Sequence, residues 1–276
     1  MRAIAGAIIL GIFCITPARA QRAIPDNNLA YPVLVSAGNS SGSGFFINTS
    51  TATYLITARH VLFNAKTGTL WASVVTFTAY DPDPHDTNAT VFSVDLSISQ
   101  STGNLLSAPT KDVVAVKIGT SAAVTDKGKL GKLEFVPGVQ MLQQSSHGIV
   151  VVPSTSIKKF DDVLIGNDIY IFGYPISLGL KEIPQIDLTH PLLRKGAIAG
   201  KNLMQRTIIL DCASYPGNSG GPVLEEENNG FNKNFNIVGV VTQFVPFADR
   251  AVYSVIIENS GYSIAEPMDA VLDLVK

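Results

Sequence analysis

The chain has 276 residues, 46% of them hydrophobic, with 20 Lys and Arg against 22 Asp and Glu. This near-neutral balance leaves no basic footprint for nucleic acid, and a charged fraction of only 15% argues against a disordered, highly solvated binder. In chain order, the segment MRAIAGAIILGIFCITPARA (1–20) comes first. Arg2 gives a positive start, Ala3 to Ile15 form an apolar run too short to span a bilayer comfortably, and Ala18-Arg19-Ala20 fits a small-residue cleavage site. A secretory signal peptide cut after Ala20 is expected, with a secreted or periplasmic destination. Removing 20 of the 276 residues leaves 256, enough for one large core or two smaller ones in a row. No later segment is apolar enough to cross a membrane. Cys212 is then the one remaining cysteine, so the mature chain is expected to hold together by packing without an intramolecular disulfide.

Short β-branched runs follow, separated by turn residues: YPVLVS (31–36), GFFIN (44–48), TYLITA (53–58), WASVVTFTAY (71–80), TVFSVDLSIS (90–99) and DVVAVKI (112–118). After the midpoint come GIVVV (148–152), DIYIFGY (168–174), KGAIAG (195–200), RTIILDC (206–212), FNIVGVVTQF (235–244) and AVYSVII (251–257). This spacing predicts an all-β sandwich or barrel architecture. DPDPHDTN (81–88) and EEENNGFNKN (225–234) read as polar loops. Asp81, Asp83 and Asp86 could share a cation, but the loop lacks the glycine and distal glutamate of a helix-loop-helix calcium site, so no metal is expected. One helix closes the chain, with Met268, Val271, Leu272 and Val275 at i, i+3, i+4 and i+7 and Pro267 in its first turn. It reads as a packing lid.

The chemistry-bearing stretch is SYPGNSGGPV (214–223), one serine among three glycines. Glycine lets main-chain N–H groups approach a ligand with no Cβ in the way. Gly217 to Gly221 match G-x-S-x-G, yet all four histidines (60, 85, 147 and 190) precede Ser219, whereas an α/β-hydrolase places its acid and histidine after the serine. Pro222 also disfavours the helix that a nucleophile elbow needs. An order of His, Asp, Ser stays open. His60 ends an apolar strand, while His85, His147 and His190 sit in loops and read as surface residues. Asp112 stands at the mouth of a buried strand, where a carboxylate needs a hydrogen-bond partner.

The segments ITARH, DVVAVKI and PGNSGGPV, with GSGFFI before them and NIVGVVTQF after them, resemble the trypsin-like serine peptidases of the chymotrypsin family, in the bacterial branch without disulfides. The resemblance covers about residues 30–267. It implies two six-stranded antiparallel β-barrels followed by the C-terminal helix: 21–145 carrying His60 and Asp112, and 146–276 carrying Ser219. It further implies a His60–Asp112–Ser219 triad, an oxyanion hole from the N–H groups of Gly217 and Ser219, and peptide-bond hydrolysis through an acyl-enzyme. Protein or peptide substrates are expected, and no cofactor. By the family's pattern the specificity pocket has its base at Ala213, takes Thr242 as a hydroxyl partner of the aspartate, and includes Phe244 in its wall; small aliphatic side chains fit that set better than Arg or Lys.

Three features depart from the family. Asn218 stands where animal digestive members have an aspartate, and no Ile-Val-Gly-Gly start is present, so activation by N-terminal insertion is not expected. Arg59 replaces a common alanine and could face solvent or the cleft. Only 57 residues follow Ser219, too few for an appended peptide-binding domain. A protease-like barrel used only for binding, and an esterase-type acyl hydrolase, remain as alternative functions; no oligomeric state is implied.

Overall fold

The computed structural model describes residues 24–80, 88–121, 133–146, 148–175, 183–187, 190–230, 232–251 and 254–276. The segment read as a signal peptide, the three aspartates of the 81–88 loop, His85 and His147 lie outside the described residues. Two sheets account for most of the fold. The first contains β1 (Pro32–Ala37), β2 (Ser40–Asn48), β3 (Ala52–Ala58), β4 (Val74–Tyr80), β5 (Ala89–Asp95), β6 (Leu105–Ser107), β7 (Val113–Ser121), β8 (Leu133–Phe135), β9 (Val139–Gln143) and β10 (Val151–Val152). They form a curled ten-stranded sheet of order β6-β7-β3-β2-β1-β4-β5-β9, with β8 on β7 and β10 parallel to β2. The count exceeds six because short segments such as β6 and β8 pair with the sheet's longer members, and the end of GIVVV joins this sheet as β10. The second sheet is a closed six-stranded barrel of β11 (Asp168–Gly173), β12 (Leu192–Asn202), β13 (Thr207–Asp211), β16 (Ser254–Pro267), β15 (Asn232–Ala251) and β14 (Pro222–Asn229).

The burial of β3 explains why TYLITA lacks alternation: all seven residues of the strand are buried. Leu55 faces the interior of the first unit with Phe46, Val114 and Val116. Its neighbours Tyr54 and Ile56 join a different core with Phe45 and Val113, and with Phe172, Leu224 and Val240 of the second unit. Strands β2, β3 and β7 are therefore covered on both faces, and a strand buried on both sides has no polar face to show. The closing helix (Met268–Leu274) puts Met268 and Val271, both fully buried, into this shared core. Burial of this kind contributes about 1.5–3 kcal/mol per large apolar side chain, so the helix read as a packing lid also ties the two units together. Pro267 is its N-cap rather than part of its first turn.

Two expectations are corrected. TVFSVDLSIS is not one strand: Asp95 ends β5 and accepts hydrogen bonds at Oδ1 from the N–H groups of Ser97 and Ile98, capping a helix over Leu96–Ser101. The capping carboxylate outweighs the β-branched residues beyond it. EEENNGFNKN is not a loop but the end of β14 and the start of β15. Glu225 and Glu226 are buried there, at 0% and 4% exposure. Glu225 accepts from Leu164 N (3.0 Å) and Asn167 Nδ2 (2.9 Å) and pairs with Lys158 Nζ (2.6 Å). Glu226 pairs with Lys233 and accepts from Tyr170 Oη (2.9 Å). Lys233 lies across the hairpin, and the other partners, distant in sequence, supply the rest of what buried carboxylates require; local polarity cannot reveal them.

Candidate active site

The pairing of β3 with β7, in register Ala58↔Val113, brings the residues just after one strand beside those just before the other. Arg59 N donates to Asp112 O at 3.2 Å, and a single helical turn over Arg59–Leu62 begins, anchored by the buried Val61 and Leu62. His60 then meets Asp112 twice: its N–H donates to Oδ1 at 3.0 Å and its Nδ1 lies 2.6 Å from Oδ2. With Nδ1–H donating to the carboxylate, the neutral ring keeps Nε2 as an acceptor. From the other side, Trp71 Nε1 donates to His60 O at 3.0 Å. Both the imidazole and the carboxylate are 36% exposed.

Ser219 sits in a turn held from both units. Gly217 (φ 100°) and Gly220 (φ 87°) occupy the left-handed region that other residues avoid. Asn218 N donates to Tyr215 O (2.9 Å), and Tyr215 N returns a bond to Asn218 Oδ1 (3.0 Å). The first unit reaches in through Ser43, whose N–H donates to Ser219 O at 2.8 Å. Ser43 Oγ donates to Gly217 O at 2.6 Å and accepts from Tyr174 N at 2.9 Å. A Cβ on Gly220 would collide with Ser43 O and Thr57 Oγ1. The glycine frame is thus explained in part by the contact between the two units, which leaves no room for side chains, and not only by access for a ligand. Among the described residues, no acceptor takes the N–H of Gly217 or of Ser219.

His60 and Ser219 line one cleft of about 270 Å³, together with residues 214–216 and 242–244. A roomier cavity of about 580 Å³, bordered by Asp95, Ile98 and Phe135, contains none of the residues singled out in sequence. Phe244 lines the cleft and is 39% exposed. Ala213 does not line it: after β13 the chain brings Ser214, Tyr215 and Pro216 to the cleft instead, while Ala213 stays half-buried. Thr242 lines the cleft, but its hydroxyl donates to Ile264 O on the neighbouring strand β16 at 3.3 Å and not to Asp112. Arg59 points to neither solvent nor cleft alone: its Nε donates to Ser107 Oγ at 3.0 Å and its guanidinium stacks 4.9 Å from the Phe63 ring centre. Asn218 is 1% exposed and fastens its own turn.

Other groups fall away from the cleft. His190 is not a surface histidine: its ring is 16% exposed, its Nδ1 lies 2.6 Å from Asp187 Oδ2, and it packs against Tyr80. Cys212 is buried, and burial pushes its thiol up to about 11, with the Asp211 charge adding to the rise and Arg194 opposing it. Among the described residues, no cluster of three or more His, Cys, Asp or Glu could hold a metal ion.

Two contributors were not singled out in sequence. Ser43 belongs to GSGFFI, whose close-set small residues were the available signal. Lys111 precedes Asp112, and its ammonium crosses to the second unit, where it pairs with Glu266 (2.8 Å) and donates to Gln205 O (2.5 Å) and Arg206 O (3.1 Å). Arg206 itself has φ 47°. No sequence feature announces that contact.

Comparison with known proteins gives the family and the fold. A family model described as a trypsin-like peptidase domain matches residues 42–230. No curated protein matches the sequence. Among solved structures, the thermostable serine protease AL20 from an extremophilic microorganism is similar at 12% identity and TM-score 0.52, covering 90% of this chain and 96% of that one. The HtrA-type protease AlgW with tripeptide is similar at 17% identity and TM-score 0.49. There the match covers 90% of this chain and 59% of AlgW, so this chain spans under two thirds of that relative's length. The Deg5 structure matches at 15% identity and TM-score 0.49, over 90% and 88% of the two chains. With more than half of its length matched by the family model, including the segments that hold His60, Asp112 and Ser219, the chain belongs to the trypsin-like peptidase domain family.

Proposed function

We propose that the protein is a serine endopeptidase that cuts peptide bonds with Ser219 as nucleophile, His60 as general base and acid, and Asp112 as the group that orients the imidazole. The observation that carries this reading is the 2.6 Å pairing of His60 Nδ1 with Asp112 beside a cleft shared with Ser219. The carboxylate holds the tautomer that leaves Nε2 ready to accept the Ser219 proton, and it stabilises the imidazolium once the proton has moved. The serine oxygen bonds the carbonyl carbon, and the displaced electron pair rests on the carbonyl oxygen. The N–H groups of Gly217 and Ser219 donate to that oxyanion. Collapse expels the amine with the proton from His60, and water then releases the acyl group by the same steps. None of the cleft residues 214–216 and 242–244 is charged, which favours small uncharged side chains at the scissile position.

Export is part of the proposal: residues 1–20 act as a signal peptide, cleavage follows Ala20, and the enzyme works in the periplasm or outside the cell. Amino-terminal sequencing of the mature protein checks this directly. The catalytic reading is tested by labelling with a fluorophosphonate probe. Wild type is expected to be labelled at neutral pH, Ser219→Ala not at all, and His60→Ala far more slowly. A folded wild type that resists the probe would leave a binding protein, and labelling with ester but no peptide hydrolysis an acyl hydrolase.

A further inference from the structure

Strand β15 does not stop at the cleft. It passes from Thr242 and Phe244, which line it, into a ribbon with β16 whose register runs Phe247↔Glu258, Ala248↔Ile257 and Asp249↔Ile256. Strand β14 pairs with β15 only as far as Val240, and β13 pairs with β16 only from Tyr262 onward. Among the described residues, both outer edges of the ribbon therefore lack a neighbouring strand. Its faces are equally bare: Phe247 and Ile256 on one, Ile257 and Val255 on the other, are 54–67% exposed. A two-stranded ribbon with neither face covered is marginal in water, and clustered exposed apolar side chains mark a contact surface.

The base of the ribbon is fastened to the cleft. Asn259 Nδ2 donates to the carbonyl of Ser214, a cleft residue, at 2.5 Å, and Asn259 Oδ1 accepts from Gly261 N at 2.9 Å. Ser260 Oγ donates to Val245 O at 2.6 Å, and Gly261 makes the bend at φ 87°. The ribbon is thereby held at the Phe244 side of the cleft as a continuation of the strand that lines it.

We propose that this ribbon is a docking surface for the polypeptide substrate itself, receiving an unfolded, extended chain with apolar side chains as it leaves the cleft past Phe244. The inference rests on the peptidase reading of the cleft. An extended chain suits both features at once, since its backbone can pair with an open edge and its alternate side chains can cover Ile256 or Ile257. Folded proteins seldom offer a free strand edge beside clustered exposed apolar residues.

The test compares wild type with a Phe247→Ser, Ile256→Ser, Ile257→Ser variant; all three residues are exposed, so the fold has little to lose. Two substrates are used: a reduced, carboxymethylated unfolded protein, and a chromogenic tetrapeptide short enough to stay within the cleft. The expected result is at least a tenfold fall in kcat/KM on the unfolded protein with the tetrapeptide changed less than twofold. An equal effect on both substrates, or none on either, overturns the proposal. Binding is measured separately by fluorescence anisotropy of the labelled unfolded protein on Ser219→Ala, with and without the three ribbon substitutions. A tenfold weakening by the ribbon substitutions supports docking even if the wild type hydrolyses nothing, in which case the peptidase reading alone fails. Unchanged binding sinks the docking role, and a wild-type dimer that the variant dissociates in sedimentation assigns the ribbon to self-association.

Discussion

Replacing Ser43 with alanine tests how far the site depends on a residue from the opposite unit. The Ser43 hydroxyl gives its proton to Gly217 O and accepts the N–H of Tyr174, and Ser43 is fully buried. Alanine leaves both backbone groups without that partner, and the volume of one oxygen is too small for a water molecule to replace it. Each unsatisfied buried group costs about 1–3 kcal/mol, so the two together cost about 2–6 kcal/mol. For a chain of this size, about 2–4 °C per kcal/mol gives a fall in Tm of about 4–24 °C. Activity suffers separately. Gly217 O belongs to the peptide whose N–H end is held by Tyr215 O, and releasing one end loosens the direction of the Gly217 N–H. Complete loss of one oxyanion donor costs about 3–4 kcal/mol; a loosened donor should cost part of that, about 10- to 100-fold in kcat, with KM little changed. Thermal unfolding followed by circular dichroism, and steady-state kinetics on a short chromogenic peptide, measure the two effects. If Ser43→Ala keeps both its Tm and its kcat, or loses only in KM, the proposed support of the oxyanion turn is wrong.

Further predictions follow from the same geometry. Asp112→Asn should fold normally and lower kcat about 10³- to 10⁴-fold, because the amide no longer enforces the Nδ1–H tautomer; circular dichroism and peptide hydrolysis check this together. Lys111→Met removes the ammonium that pairs with Glu266 and leaves that carboxylate nearly buried, so urea unfolding should show a loss of about 3–5 kcal/mol. Burial works against the Lys158 ammonium, but Glu225 and Glu227 outweigh it and hold its pKa above the ordinary lysine value. The group therefore adds stability in full below about pH 10.4, and this is lost as pH rises through the higher folded value. Lys158→Met should remove that alkaline decline and be less stable than wild type at pH 7, as read from Tm across pH. Cys212, with its thiol raised by burial, should resist iodoacetamide at pH 8 in the native protein and react once the chain is unfolded in guanidinium, as mass spectrometry would show.

Much of this protein was legible in one dimension because its local signals agree. Runs such as TYLITA and DVVAVKI announce strands by composition, the terminal helix shows its buried stripe, and ITARH, DVVAVKI and PGNSGGPV mark His60 and Ser219 of the cleft and the Asp112 that pairs with His60. These readings need only nearest neighbours and the periods of strand and helix. What required the tertiary structure involves partners far along the chain. Glu225 and Glu226 look like loop residues until Lys158, Asn167 and Tyr170 are placed beside them, and Ser43 shows no role until Gly217 arrives 174 positions later. Thr242 took the carbonyl of Ile264 instead of Asp112, and Ser214 displaced Ala213 from the cleft, because strand register and the path of a turn set those contacts to within an ångström. Composition and spacing constrain which residues can form strands and which chemistry they can perform; the satisfaction of buried polar groups is decided only when the two units close on each other.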